Sequence, residues 1–386
     1  MFFIIFTISV LLILHTYFFY PLVMLTFFSN YKGKRKEFSS IEQDLPNLAI
    51  LIAAYNEEKI IGEKIKSIFN TDYPSEKIRV YVGSDASEDA TESVVEKLKE
   101  KYKNLELIKF KSRVGKINIV NHLQSLGDED ILVLTDANVL FKTNTLFELI
   151  KYFKDEKVGI VAANIIKESL NMAGISRQEI VYLSMENRIK AAESNALNLI
   201  MGAEGGCYAI RNNLFSKVPS KFIVDDFYIT FQVLIKGKYA LFNPNALCSE
   251  DVPSEVRGEY RRKVRISSGN FQNLFFFKQI AFKFWRPMGF SFISHKVLRW
   301  LTPFFLIFSL ITSAFLAGNS QFFSFILFLQ ILGFLFPLLN HFFRFENSLL
   351  RFISHFYFMN FALLHGFVKF SKGIKTSIWQ PVKRNV

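Results

Sequence analysis

Hydrophobic positions fall along this chain in three textures. From Met1 to about Phe28 they run almost unbroken, with no Lys, Arg, Asp or Glu. About 20 apolar residues suffice to cross a hydrocarbon core. No basic leader or small-residue cleavage site accompanies the stretch, so residues 1–28 are predicted to be a retained transmembrane anchor rather than a signal peptide. From Leu45 the texture changes to short apolar runs alternating with helical segments: Leu48–Ala54, Glu57–Asn70, Ile78–Gly83, Ala90–Lys101, Leu105–Phe110, Gly115–Leu126 and Ile131–Thr135. Strand and helix in alternation predict an α/β domain with a parallel sheet and helices on both faces. Val158–Asn164 reads as a further strand, Arg177–Ala192 as an amphipathic helix, and Met201–Arg211 as a Gly-rich turn feeding a strand. Residues 45–270 form one domain on this reading, since no repeat or low-complexity linker divides them.

The third texture begins at Phe271. Over residues 271–299 Phe is frequent, yet Gln272, Gln279, Lys283 and Arg286 recur on one helical face, as an interfacial amphipathic helix requires. Residues 300–317 and 322–339 carry no charge and are joined by Gly318-Asn319-Ser320-Gln321, which predicts a transmembrane hairpin. Residues 349–370 are apolar but contain Arg351, His355, His365 and Lys369. They are expected to form an interfacial helix or a third C-terminal membrane helix. A crossing there would put the basic tail Lys372, Lys375, Lys383 and Arg384 outside, against the positive-inside bias.

Composition sharpens this picture. Half the residues are hydrophobic and the mean hydropathy is +0.21, high for a soluble enzyme. The formal net charge of +13 carries no recognisable nucleic-acid module and fits anionic lipid headgroups better. Lys32, Lys34, Arg35 and Lys36 follow the first apolar stretch and mark its cytoplasmic end, so the α/β domain is expected on the cytoplasmic side of a plasma or inner membrane. Cys207 and Cys248 are too few for a zinc motif or disulfide framework and read as buried thiols.

In open α/β sheets ligands bind beyond the carboxyl ends of the strands, and polar clusters stand there. Asn56-Glu57-Glu58 follows the first strand and Ser84-Asp85-Ala86-Ser87-Glu88-Asp89 the second; either also suits a helix start, with a capping side chain and acids in the first turn. Asp136-Ala137-Asn138 closes an apolar strand. An extended backbone would turn both oxygen-bearing side chains the same way, towards a hard divalent cation shared with phosphates, and an Asx-turn is the alternative. Asp225-Asp226 precedes an apolar helix, where one carboxylate is either a cap or a general base. Arg261-Arg262-Lys263-Val264-Arg265 is a solvated basic face or a neutraliser of diphosphate.

Taken in order, these segments resemble the family 2 glycosyltransferases, the group of the cellulose, hyaluronan and poly-N-acetylglucosamine synthases. The resemblance covers Leu45 to about Asn270 and implies a GT-A, Rossmann-like nucleotide-diphospho-sugar transferase domain beside transmembrane and interfacial helices. It implies that Ala54, Asn56, Glu57, Asp85, Lys116 and Asp136 bind the nucleotide-sugar, near Arg113, Gly115 and Asn121. Asp136 and Asn138 would hold Mg2+ or Mn2+, with Asn in place of the usual second Asp. Gly202, Glu204, Gly205 and Gly206 would form the acceptor-side loop. Asp226, beside Asp225, would be the catalytic base, and Arg262 and Arg265 would stabilise the leaving diphosphate. Where processive synthases carry Gln-x-x-Arg-Trp, this chain has Arg262-Lys263-Val264-Arg265-Ile266, so the aromatic platform for the acceptor is absent. The expected activity is an inverting, non-processive transfer of a hexosyl or N-acetylhexosaminyl group from a UDP-sugar to a lipid-linked or membrane-proximal acceptor, with other envelope-polysaccharide proteins as partners. A processive synthase with an export partner, and a non-catalytic nucleotide-sugar-binding module, remain the alternatives.

Overall fold

The computed structural model describes all residues except 32, 40–43, 169–174, 252–255, 344–346, 375 and 377–386. Lys32 and, in the basic tail, Lys375, Lys383 and Arg384 therefore lie outside the described residues. The chain divides into two compact units, one comprising Met1–Phe27, Met172–Met185 and Val256–Ile374, the other Phe28–Asn171, Glu186–Glu255 and Lys375–Val386.

The second unit is built on one eight-stranded sheet: β1 (Leu48–Ala54), β2 (Ile78–Ser84), β3 (Leu105–Lys109), β4 (Ile131–Asp136), β5 (Val139–Phe141), β6 (Val158–Glu168), β7 (Cys207–Arg211) and β8 (Tyr239–Asp251). Their order is β3-β2-β1-β4-β7-β6-β8-β5. The first half is parallel, with β1 between β2 and β4. Both faces of such strands are covered by helices, which is why β1 reads Leu-Ala-Ile-Leu-Ile-Ala-Ala and β4 starts Ile-Leu-Val-Leu, with almost every side chain buried. β7 then runs antiparallel to both β4 and β6, so the sheet is mixed rather than parallel throughout. The helix Ile61–Phe69 turns Ile61, Lys64, Ile65 and Ile68 inward, the i, i+3, i+4, i+7 stripe of an amphipathic helix. The register aligns Ala53 of β1 with Asp136 of β4, and Ala54 with Ser84 of β2, so three strands end side by side where the loops carry the candidate chemistry.

The other unit is helical. Among the described residues, three of its helices are long and apolar enough to cross a membrane: Phe2–Phe27, Pro287–Ala317 and Gln321–Asn340. The second is helical from Pro287 rather than from Trp300, and polar side chains within the unit accommodate the extra turns. His15 and Thr16 bond to the hydroxyl and carbonyl of Ser294 at 2.9 and 2.8 Å, and buried Arg299 donates to the Tyr182 hydroxyl at 2.8 Å. Polar groups shielded from water need such partners. Ser348–Ser371 is one helix packed along Val256–Phe276. Gly366 permits that approach: a Cβ there would meet Ser267 Oγ at 2.3 Å.

Candidate active site

The loops after β1 and β2 are sewn into one wall. The Ala54 carbonyl accepts from the Asp85 N–H at 2.8 Å. Asn56 takes a left-handed conformation (φ 53°), tolerable for Asn, and its Oδ1 accepts from the Glu88 N–H at 2.9 Å. Ser87 Oγ, Thr91 Oγ1 and Asp89 Oδ2 in turn accept from the N–H groups of Asn56, Glu57 and Glu58. Ala54 and Asn56 are thus engaged mainly in holding the wall together.

Asp85 is fully buried, and its carboxylate accepts from Val114 N–H at 2.6 Å, Gly115 N–H at 3.2 Å and Arg113 Nε at 2.9 Å. Gly115 has φ 87°, a conformation open to glycine at little cost. Arg113 stacks on Tyr55, its guanidinium carbon 3.4 Å from the ring centroid. Asp85 therefore fixes the loop 113–115 from behind, and that loop delivers Lys116 at the start of the helix Lys116–Gln124.

Lys116 Nζ bridges Asp136 Oδ1 at 2.6 Å and the Gly205 carbonyl at 3.2 Å. Burial works against its charge, but Asp136 and Asp225 outweigh burial and hold the ammonium above its ordinary range. The extended backbone stops at Asp136, and residues 137 and 138 form a turn. Asn138 consequently does not share a direction with Asp136: its Nδ2 donates to Glu250 Oε1 at 3.0 Å. The described residues hold no cluster of three or more His, Cys, Asp or Glu suited to a metal. The half-exposed Asp136 carboxylate still fits a small hard cation, which takes one or two carboxylates and completes its shell with water and substrate phosphates.

Asp225 and Asp226 open the helix Asp225–Ile235. Asp226 Oδ1 accepts from the Phe227 N–H at 2.7 Å. The Gly-rich loop is moulded onto this end: a Cβ on Gly205 would stand 3.1 Å from Asp226 Oδ2, and Gly202 (φ +100°) lies under the Phe227 ring. Thr230 Oγ1 accepts from the Ala203 N–H at 3.0 Å and donates to the Asp226 carbonyl at 2.7 Å. Gly206 accepts both the Asp136 N–H and the Thr135 hydroxyl at 3.0 Å. Glu204 pairs with the buried Lys190 ammonium at 2.5 Å. Burial and the neighbouring Asp225 push the Asp226 carboxyl up to about 7, with the Phe227 N–H and Lys116 pulling the other way.

The structure thus gathers Asp136, Lys116, the loop Gly202–Gly206 and the Asp225-Asp226 pair, with Asp85 one layer behind. Arg262 and Arg265 belong to the helical unit, where Arg262 holds Glu259 through Nε and Nη2 at 2.8 and 2.9 Å. Three contributors give no local sequence sign. Glu250 comes from β8, Lys190 from the helix Ile175–Leu197, and Tyr208 from β7, where its buried hydroxyl has no partner among the described residues. Burial, then Asp225, Asp226 and Asp136, hold that phenol well above its ordinary range.

Residues 49–218 match the family model Glycosyl transferase family 2. The chain is 25% identical over 244 residues to the probable glycosyltransferase YdaM of Bacillus subtilis, covering 59% of this chain and 56% of that protein. It is 26% identical over 247 residues to the poly-beta-1,6-N-acetyl-D-glucosamine synthase of Staphylococcus epidermidis, covering 61% and 57%. The chain thus spans little more than half the length of these curated relatives. In fold it is similar to a mannosyltransferase, PcManGT from Pyrobaculum calidifontis, solved with GDP-Man and Mn2+, with a TM-score of 0.71 and 22% identity over 95% of this chain and 99% of that one.

Proposed function

We propose that this chain, which carries a family 2 glycosyltransferase domain on a GT-A fold, moves a sugar from a nucleoside-diphosphate donor to an acceptor hydroxyl at a membrane, with inversion at the anomeric carbon. The observation that carries the reading is Asp226: a carboxyl near 7, pressed against Gly205 and within the reach of the cation that also holds Asp136. A general base works best when its pKa lies near the operating pH.

In this mechanism Asp226 takes the proton of the acceptor hydroxyl. The acceptor oxygen attacks the anomeric carbon from the face opposite the nucleotide, and the bond to the diphosphate breaks with its electron pair leaving on phosphate oxygen. Lys116 stabilises that developing charge, turning from Asp136 and the Gly205 carbonyl to the departing oxygens. Asp136 is the residue that would hold a divalent cation, whose chemistry is to neutralise the diphosphate. Asp85 acts through the loop it fixes, presenting Arg113 and Tyr55 to the nucleoside.

UDP as the donor nucleotide, a lipid-linked or membrane-proximal acceptor, and a cytoplasmic domain behind an N-terminal anchor are further parts of the proposal. The apolar helices and the basic Lys34, Arg35 and Lys36 support the membrane placement. Ile266, where processive synthases offer an aromatic platform, supports the addition of one or a few sugars. The likeness to a poly-N-acetylglucosamine synthase favours the processive alternative, and product length separates the two. The test incubates detergent-purified protein with UDP- and GDP-sugars, Mg2+ or Mn2+ and membrane lipids. Release of nucleoside diphosphate from one donor and a short product are expected; a long polymer overturns the non-processive reading, and absence of turnover with every donor overturns the transferase.

A further inference from the structure

Lys64 sits in the inward stripe of the helix Ile61–Phe69 and is 0% exposed. Lysine is almost never fully buried without a charged partner, yet Lys64 makes no ion pair with any described carboxylate. Its Nζ donates instead to Thr135 Oγ1 at 2.9 Å and to the Val139 carbonyl, and lies 3.5 Å from the centroid of the Phe141 ring. Thr135 and Val139 flank the Asp136–Asn138 turn. A hydroxyl has one proton to give; Thr135 accepts from Lys64 and gives its own to the Gly206 carbonyl at 3.0 Å, the oxygen that also receives the Asp136 N–H.

We propose that Lys64 is a positioning residue that, through Thr135 and the Gly206 carbonyl, locks the Asp136 turn and the loop Gly202–Gly206 in one register. What this lock serves rests on the transferase reading: it sets the donor-side carboxylate and the acceptor-side loop at a fixed separation. Burial brings the Lys64 ammonium down to about 8, against Cys207, Cys248 and Asp136, so it remains cationic at neutral pH. A side chain kept only for packing would be better served by a hydrocarbon, because replacing buried charge with well-packed apolar atoms is often neutral or stabilising.

The test compares Lys64→Met, Thr135→Val and the double variant in the full-length detergent-solubilised protein. Thr135→Val keeps the shape of the strand residue and removes only the relay hydroxyl, so it carries the test if Lys64→Met fails to fold. Hydrogen exchange is expected to rise about tenfold, the worth of a lost charge-assisted bond, in both segments 136–141 and 203–207. The double variant should be no faster than either single one, and β1 and β2 unchanged. The donor KM should rise by a similar factor, non-additively, with a smaller change in kcat. Loosening of one segment without the other, multiplicative effects in the double variant, or an unchanged KM overturns the proposal. If the wild type turns over no donor, the transferase reading falls, and exchange alone decides whether the lock exists.

Discussion

Replacing Asp226 with Asn is expected to stabilise the protein while stopping its reaction, and the stabilisation should depend on pH in one direction. The Asp226 carboxyl lies at about 7, against an ordinary 3.8. Between those values the folded chain keeps a proton that the unfolded chain has released, so stability falls as pH rises through the window and levels off above it. Each tenfold displacement is worth 1.36 kcal/mol, which sets a ceiling of about 4 kcal/mol. Coupling to Asp225 and residual solvent access reduce the expected gain to about 1–3 kcal/mol at pH 8. Asn keeps the oxygen that accepts from Phe227 N–H, so the helix start is preserved. Melting in detergent at pH 4 to 8.5 reads the result: the variant should melt several degrees higher at pH 8, with the gap closing towards pH 4. A gap independent of pH, or a variant less stable at pH 8, refutes the account of Asp226. Turnover by the wild type should rise through pH 7 as the carboxyl ionises, and fall by about 100-fold or more in the variant.

Gly205→Ala puts a methyl group 3.1 Å from Asp226 Oδ2; kcat should drop about tenfold from sub-ångström misplacement of the base, with donor binding retained, as measured by titration. Lys116→Met removes the bridge between Asp136 and Gly205 and should lower kcat by about 100-fold or more, checked in single-turnover assays. Arg113→Ala leaves the buried Asp85 carboxylate without its cation, and urea unfolding should register a loss of about 3 kcal/mol. Chelation of divalent cations should abolish transfer and Mn2+ or Mg2+ restore it, measured as nucleoside diphosphate released.

The parallel half of the sheet was legible because strands buried on both faces write themselves as unbroken apolar runs, and Leu48–Ala54 is such a run from end to end. The placement of the loops was legible by position: Asp136 stands at the end of its strand and Asp226 in the first turn of its helix. What the sequence hid was direction. Asp85 reads as a ligand-facing acid but turns inward to its own loop, because three donors await it there. Asn138 reads as the partner of Asp136 but follows a turn to Glu250 on a strand more than a hundred residues later. Lys64 did carry a signal, since a lysine in register with Ile61, Ile65 and Ile68 interrupts an apolar stripe. The long apolar helix beginning at Pro287 was masked by Lys296 and Arg299, charges that a hydropathy sum rejects although the fold gives Arg299 the Tyr182 hydroxyl.

The doubly bonded carbonyl of Gly206 has a consequence for motion. The Asp136 turn and the loop Gly202–Gly206 share this oxygen beside the Lys116 bridge and the β4–β7 ladder, so a displacement of one is expected to carry the other. On the transferase reading the gap between them is the length a new bond has to close, and it is expected to fluctuate less than the displacement of either segment.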